Sequence, residues 1–207
     1  ELVLQENPGE RKAICGEPET TMVNVVRPGR RLKVAVESWP IAGGFTISRG
    51  AKHEAVVVVA TIEDGAHQGR GECVPYPRYG ESVESVVGSI EALRPEIAAG
   101  LDRFRLGEVL ASGAARNALD CALWDLEAKS RGVSAAALAG VERLRPVETA
   151  FTISLASPEE MARKAMEARK YPLLKLKLGG DGDEERLQAV REAVPDARFI
   201  ADANEAW

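Results

Sequence analysis

The sequence predicts an α/β fold in which a small α+β unit is followed by the first strands and helices of a parallel sheet. Two observations support this class. Strand-like runs and turn signals fill residues 32–74, and helical periodicity fills residues 82–131. From Pro146 the order becomes strand, helix, strand, helix, strand, which is typical of parallel strands joined by helical crossovers. We therefore expect two units, over residues 31–145 and 146–207.

The first unit begins as an antiparallel meander. Partial alternation, two interrupting glycines and a β-branched run that ends in a turn signal predict strand segments at residues 32–38, 45–48, 54–62 and 69–74. Residues 82–99 have helical spacing, and residues 113–131 have it more strongly because a set of apolar side chains shares one face: Ala115, Ala118, Leu119, Ala122, Leu123 and Leu126. Residues 1–30 follow neither period, so we expect an unassigned, poorly ordered tail there.

The second unit is predicted as two helices between three strands, at residues 147–155, 173–178 and 198–204. Ser157 begins a capping-box pattern before the first helix, and Asp183 is expected to cap the second. A polar residue lies near the end of each predicted strand, and these three residues are 25 positions apart along the chain: Thr152, Lys177 and Asp202. That spacing is typical of one strand-helix unit in an eight-fold barrel, so the sheet is either small and open or part of a longer barrel.

Composition and charge argue against several classes of partner. The 27 Lys and Arg residues against 32 Asp and Glu give a net charge of −5 without a basic stripe, which argues against nucleic acid. The longest apolar run, residues 55–60, is far shorter than the roughly 20 residues of a membrane span, and the acidic start does not resemble a signal peptide. Cys15, Cys73 and Cys121 form no CxxC pair, so we expect free thiols and a cytoplasmic protein.

The candidate site depends on the alternation of side chains along the strands. Lys175 and Lys177 share one face of the second parallel strand, opposite a row of leucines, although a parallel strand is normally apolar on both faces. Asp202 and Asn204 share a face near the end of the third strand, and Thr152 lies on the first. A single lysine or aspartate here is more often an edge residue or a helix cap. The set together predicts a site at the carboxyl ends of the strands.

These residue types suggest chemistry on a carbon acid. Two neighbouring ammonium groups repel, which lowers the pKa of one lysine and suits it to act as a general base. Asp202 is an oxygen ligand of the kind that Mg²⁺ prefers, and magnesium on a substrate carboxylate would neutralise the charge of an enolate. One aspartate is too few for a metal site, so further ligands are expected on strands beyond residue 207.

Other motifs are given weaker interpretations. Residues 69–72 are half of a GxGxxG pattern and are interpreted as a turn and strand, while residues 179–183 are interpreted as a loop and helix cap rather than a calcium loop. His53 and His67 are expected at the surface. The segment 75–81 is aromatic, basic and stiff, and it is either a solvated loop or a lid over a small ligand.

The chain resembles the enolase superfamily, specifically the muconate-lactonizing subgroup and its dipeptide epimerases. The resemblance runs from about Leu32 to Trp207 and is carried by an ordered set of segments, residues 45–50, 71–82, 113–126, 174–177 and 202–205. It implies an α+β capping domain followed by a modified TIM barrel, which is incomplete at this length. The family's remaining acidic ligands, its opposing lysine and the end of its capping domain would lie on later segments, so we expect a C-terminally truncated chain.

The resemblance also implies roles for individual residues. Lys177 resembles the acid/base on one face of the substrate α-carbon, with Lys175 tuning its pKa and contacting the carboxylate. Asp202 is similar to the first of three Mg²⁺ ligands, and Asn204 supports it.

Two further residues would bind the substrate. Arg49 matches the arginine that reaches a glutamate side chain, and Thr152 matches a threonine that lines the site. A guanidinium and a carboxylate pair in two-point geometry, which suits Arg49 to an acidic substrate.

The predicted function is therefore an Mg²⁺-dependent epimerase or racemase that acts on a dipeptide of the L-Ala-D/L-Glu type, or on an N-acyl amino acid, by 1,1-proton transfer through an enolate. Two alternatives stay open. One is a non-catalytic fragment, and the other is a cycloisomerase or succinylbenzoate synthase of the same fold. The expected partner is a small molecule rather than nucleic acid or a membrane, and a homo-oligomer is left open.

Overall fold

The computed structural model describes residues 29–207, so most of the tail predicted over residues 1–30 lies outside the described residues. Six strands, seven α-helices and one 3-10 turn follow in chain order within that range. The strands are β1 (Arg31–Ile47), β2 (Gly50–Asp64), β3 (His67–Cys73), β4 (Phe151–Ile153), β5 (Leu173–Lys177) and β6 (Arg198–Asp202). The helices are α1 (Val83–Ala92), α2 (Arg94–Ala98), α3 (Arg103–Val109), α4 (Ala114–Arg131), α5 (Ala135–Leu138), α6 (Pro158–Glu167) and α7 (Asp183–Ala193), and the 3-10 turn is Pro77–Tyr79.

The first sheet is antiparallel, in the order β1-β2-β3. The two segments predicted at 32–38 and 45–48 form one long strand whose register with β2 shifts between Pro40 and Phe45. Pro40 cannot donate to the ladder, and Gly43 and Gly44 adopt positive φ values of 72° and 71°, so the pairing is interrupted without ending the strand. The short loop that joins β1 to β2 carries Ser48 and Arg49 to the far end of the hairpin.

Helix α4 packs directly on β3, and two glycines make this close approach feasible. A Cβ atom at Gly71 would lie 2.1 Å from the carbonyl oxygen of Ala118, and one at Gly69 would lie 2.0 Å from that of Ala122. The half GxGxxG pattern therefore belongs to a strand against which a helix packs closely. The six apolar residues predicted on one face of α4 are all buried in the core of this unit.

The other helices of the first unit depart from the prediction. The helix expected over residues 82–99 is divided at Leu93 into α1 and α2, because Pro95 has no N–H group with which to continue the helical ladder. Helices α3 and α5 were not predicted. Each is capped by a side chain, since Asp102 accepts from two N–H groups at the start of α3 and Ser134 accepts from one in α5.

The second sheet is parallel, in the order β4-β5-β6, with α6 and α7 supplying the crossovers. All three strands are shorter than predicted, and β4 most of all, since Val147 is 87% exposed and lies outside the sheet. The N-cap of α7 is Gly182, not Asp183, because the Asp183 carboxylate accepts instead from the backbone N–H groups of Gly179 and Gly180 in the preceding loop. Ser157 caps α6 as predicted, with its hydroxyl oxygen 3.3 Å from the Glu160 nitrogen, but the Glu160 side chain does not return the second hydrogen bond of a capping box.

The two sheets meet near the carboxyl ends of the parallel strands. The backbone N–H of Leu155, just after β4, donates to the carbonyl oxygen of Thr46 in β1 at 3.1 Å. Residues 45–49 of the hairpin are therefore held beside the strand ends where the sequence places the candidate site. Across residues 29–207, none of the helices combines the length and apolar character needed to cross a bilayer.

Candidate functional site

Strand β5 separates a packed face from a polar one. Leu174, Leu176 and Leu178 are fully buried in the core that α6 and α7 cover. The alternation of the strand turns Lys175 and Lys177 to the opposite face. Lys177 is only 6% exposed, which is unusual for an ammonium group and requires a nearby counter-charge.

Asp202 supplies that counter-charge to both lysines. One of its oxygens, Oδ2, lies 2.8 Å from the Nζ atom of Lys175 and 2.8 Å from that of Lys177, and the backbone N–H of Asn204 donates to Oδ1 at 3.0 Å. These contacts hold the pKa of the Asp202 carboxyl far below its usual range, first through Lys175, then through Lys177 and the Asn204 N–H. The sequence predicted two neighbouring ammonium groups that repel each other on one face of the strand, whereas the structure gives both of them one carboxylate as a shared counter-charge.

The register of the sheet extends this polar face to β4. Thr152 pairs with Lys175, and Lys175 pairs with Ile200, so the three residues form one row across the sheet. Lys177 and Asp202 form the next row. Because directly opposed residues in a sheet share a face, Thr152 lies on the lysine side, one row below the ion pair.

Phe45 covers Lys177 from the first sheet. The Nζ atom of Lys177 lies 5.6 Å from the centre of the Phe45 ring, within the range of a cation–π contact. Sequence reasoning gave Phe45 no role, although it begins one of the segments that carry the family resemblance. The ring explains part of the low exposure of Lys177, because it lies over the ammonium group without providing a second anion.

The backbone turns sharply after β6. Asn204 and Glu205 have φ values of 49° and 67°, which are the positive values found among the non-glycine residues of the described chain. The side-chain Oδ1 of Asn204 is buried and has no hydrogen-bond partner among the described residues. A buried acceptor without a donor is costly, so this oxygen suits a donor or a cation that these residues do not themselves supply.

Arg49 contacts this turn from the hairpin of the first sheet. One of its guanidinium nitrogens, Nη1, donates to the Asn204 carbonyl oxygen at 3.0 Å and lies 3.3 Å from the Glu205 carboxylate. The Ser48 hydroxyl donates to the same carbonyl at 3.2 Å. The structure therefore brings Arg49 to the strand end that carries Asp202, with its guanidinium facing an internal carboxylate.

The segment predicted as a loop or lid also reaches this turn. Arg78, in the 3-10 turn, lies 2.6 Å from the Glu205 carboxylate, which raises the pKa of the Arg78 guanidinium above its usual value. Glu81 holds the base of the segment by accepting from the Tyr76 N–H at 3.1 Å and from the Ala114 N–H at 2.6 Å. Sequence reasoning gave neither Arg78 nor Glu205 a role, and the one available signal was that both lie in segments of the resemblance.

The donor set fits one part of a magnesium site. Asp202 and the unpartnered Asn204 Oδ1 are oxygen donors of the class that Mg²⁺ prefers, two residues apart. Within residues 29–207, however, no three His, Cys, Asp or Glu side chains come together in a way that could hold a metal ion. The described residues can contribute ligands to such a site and do not complete it.

Comparison with known proteins places this chain in a family. Residues 30–140 match the N-terminal domain of the mandelate racemase / muconate lactonizing enzyme family. The chain is 47% identical over 180 residues to L-Ala-D/L-Glu epimerase of Escherichia coli, in an alignment that covers 86% of this chain and 56% of that protein.

Two solved structures show the same relationship. One is an enolase family member from Agrobacterium tumefaciens with homology to dipeptide epimerases, solved with sodium and L-Ala-L-Glu, with 55% identity and a TM-score of 0.83 over 86% of this chain and 55% of that one. The other is a dipeptide epimerase from Enterococcus faecalis complexed with Mg and L-Leu-L-Tyr, with 29% identity and a TM-score of 0.78 over 86% and 55%. The chain thus spans about half the length of the relatives it matches. It belongs to the mandelate racemase / muconate lactonizing enzyme family of the enolase superfamily.

Proposed function

We propose that this chain carries one half of the active site of an Mg²⁺-dependent epimerase for acidic dipeptides of the L-Ala-D/L-Glu type, in a cytoplasmic enzyme. The observation that carries the proposal is the position of Lys177. Its ammonium is almost buried, it lies at the carboxyl end of a parallel strand, and it shares the Asp202 carboxylate with Lys175 at 2.8 Å. A buried amine held in fixed geometry at a strand end is suited to moving a proton to or from carbon.

The residues around Lys177 divide the remaining tasks. Lys177 Nζ takes or returns the α-proton on one face of the substrate, and Lys175 contacts the α-carboxylate beside it. Thr152 lines the row below. Arg49 binds the acidic side chain. The second base, on the opposite face of the α-carbon, comes from outside the described residues.

The cofactor in this proposal is Mg²⁺, with Asp202 as one ligand and Asn204 as support. Bound to the substrate carboxylate, the ion would neutralise the negative charge that proton removal places on the carboxylate oxygens. The donor class of Asp202 and the unpartnered Asn204 oxygen support this assignment. The remaining ligands lie outside the described residues.

The activity test uses a fusion, because the described residues do not complete the metal site. Residues 29–207 replace the matching part of the Escherichia coli epimerase, and ¹H NMR in D₂O with MgCl₂ follows loss of the α-proton signal of L-Ala-D-Glu and L-Ala-L-Glu. We expect exchange with both diastereomers. Parallel reactions with N-acetyl-glutamate, cis,cis-muconate and the succinylbenzoate precursor test the other reactions of this fold.

Two substitutions make the result specific. Lys177→Met removes the proposed base on one face, so it should abolish epimerisation and the exchange of the diastereomer whose α-proton faces Lys177. Lys129→Met removes another lysine that pairs with a carboxylate, Asp125 at 2.6 Å on α4, and should leave exchange unchanged. A well-folded fusion that exchanges neither dipeptide, or a Lys177→Met variant that keeps full exchange, would end the proposal.

A further inference from the structure

The carboxylate of Glu205 lies between two arginines that come from separate parts of the first unit. Its Oε2 atom is 2.6 Å from Arg78 Nη1 and 3.3 Å from Arg49 Nη1. Arg49 belongs to the β1–β2 loop and Arg78 to the 3-10 turn, so they meet only through the fold. We call these two guanidinium groups the arginine clamp. All three side chains remain partly exposed, at 38%, 45% and 63% for Arg49, Arg78 and Glu205, so a solute can reach the clamp.

The backbone conformation that holds Glu205 in the clamp is unusual. A left-handed conformation is uncommon for a glutamate, and Glu205 adopts it with φ 67° directly after Asn204, which has φ 49°. Conformations of this kind persist where surrounding contacts impose them, and they concentrate at functional sites. Here Arg49 and Ser48 both donate to the carbonyl oxygen of Asn204, the residue just before Glu205.

The clamp is connected to Lys177 through Asn204, whose carbonyl oxygen accepts from Arg49 and whose N–H donates to Asp202, the carboxylate that pairs with Lys177. Glu205 follows Asp202 by three residues, so their backbones are at most roughly 10 Å apart. Two guanidinium groups and one carboxylate leave one positive charge at the clamp.

We infer that Arg78 is a second arginine for the side-chain carboxylate of an acidic substrate, and that the Glu205 carboxylate occupies the clamp as an internal competitor when that substrate is absent. The identity of the substrate rests on the proposed function, whereas the preference of the clamp for carboxylates does not. An incoming carboxylate displaces Glu205 from Arg78 and takes over the ion pair that Glu205 makes here. Arg78 is thus a specificity residue, and Glu205 sets how tightly acidic compounds bind.

A binding measurement on the 207-residue chain tests this inference without requiring catalysis. The chain is titrated with N-acetyl-L-glutamate and with N-acetyl-L-glutamine, which differ only in the charged group, and the arginine Nε–H signals are followed by NMR. We expect the glutamate compound to bind about tenfold more tightly, because charge-assisted hydrogen bonds are roughly twice as strong as neutral ones. Circular dichroism checks that each variant keeps its fold.

Three variants distinguish the possible causes. Arg78→Gln should reduce the preference for the carboxylate at least fivefold. Arg70→Gln is the matched control, because it removes an exposed arginine that pairs with a different carboxylate, Glu37 at 3.0 Å, and it should leave the preference unchanged. Glu205→Gln should tighten binding of N-acetyl-L-glutamate severalfold, since the competitor loses its charge while the side chain keeps its shape.

The inference is overturned if the unaltered chain binds both compounds equally, if Arg78→Gln leaves the preference intact, or if Arg70→Gln reduces it equally. Weaker binding in Glu205→Gln would overturn the competitor role. A clamp that passes these tests while the fusion shows no α-proton exchange would leave carboxylate recognition standing and reject the proposed reaction. If the fusion exchanges the α-proton but Arg78→Gln keeps the preference for the carboxylate, the proposed reaction would stand and the role of Arg78 would be rejected.

Discussion

Replacement of Asp202 by Asn should destabilise the chain through Lys177. The Asn side chain keeps the shape of the aspartate but leaves the ammonium of Lys177, whose side chain is 8% exposed, without its anion. Removing one partner of a fully buried ion pair costs about 3–5 kcal/mol. The cost here should be smaller, about 2 kcal/mol, because the side chains of Asp202 and Lys175 are 25% and 35% exposed and water reaches part of the network.

A double-mutant cycle isolates the interaction of Lys177 with Asp202. Lys177→Met alone removes the buried charge and leaves Asp202 paired with Lys175, so it should cost less than about 1 kcal/mol. In the double variant no unpaired charge is left at Lys177, and the cost of Asp202→Asn should fall accordingly. We expect a coupling free energy of about 1 kcal/mol or more between the two positions.

Urea unfolding of the 207-residue chain, followed by circular dichroism at pH 7 without added metal, gives the four free energies of unfolding. The cycle is interpretable only where the denaturant slope is unchanged among the variants. Additive effects of the two substitutions would refute the reasoning, because they would mean that Asp202 does not stabilise the buried ammonium. A large loss of unfolding free energy in Lys177→Met would refute it as well, since the Lys177 side chain would then stabilise the chain by itself.

Two further predictions concern the scaffold. Gly71→Ala places a methyl group 2.1 Å from the Ala118 carbonyl oxygen, so α4 must move away from β3 and the free energy of unfolding should fall by about 2 kcal/mol or more. In Gly88→Ala the new methyl group on α1 meets open space, so the free energy of unfolding should rise by roughly 0.5–1 kcal/mol. Equal urea midpoints for the two variants would contradict this account. Asp183→Asn should destabilise the chain at pH 7. Although burial alone would raise the pKa of Asp183, hydrogen bonds from groups such as the Gly179 N–H lower it. The carboxylate therefore adds stability above about pH 4 that is lost as the pH falls further, and unfolding at pH 7 and pH 3 should show the difference between wild type and variant closing.

The alternation of side chains and the 25-residue spacing predicted most of the geometry around Lys177. Period-2 alternation is a local property of a strand, so the leucine and lysine faces of β5 could be separated without knowledge of the fold. The equal spacing predicts the register of Lys177 with Asp202, which are paired in the parallel sheet, but it fails for Thr152, which pairs with Lys175, two residues before Lys177. The catalytic and metal-binding roles of these residues stay predictions.

What the sequence did not predict depends on contacts between distant segments. The meeting of Arg78 with Glu205 requires the fold to bring the 3-10 turn beside the end of β6, and no local pattern encodes that approach. Strand lengths in the parallel sheet were overestimated, because residues such as Val147 have strand propensity but no neighbouring strand to pair with among those described. The prediction that Asp183 caps α7 was wrong for a related reason, since its carboxylate accepts from two N–H groups of the preceding loop.

The two units contribute different kinds of residue to one site. Groups suited to proton transfer and metal binding, Lys177 and Asp202, lie on the parallel sheet, where packed helices hold the strand ends in place. Groups suited to recognition, Arg49 and Arg78, lie on loops of the first unit, where a change of side chain disturbs little of the core. Asn204 connects the two groups, because its carbonyl oxygen accepts from Arg49 and its backbone N–H donates to Asp202. Under the proposed function, replacement of Arg49 or Arg78 would therefore change substrate preference while the arrangement of Lys177 and Asp202 stays fixed.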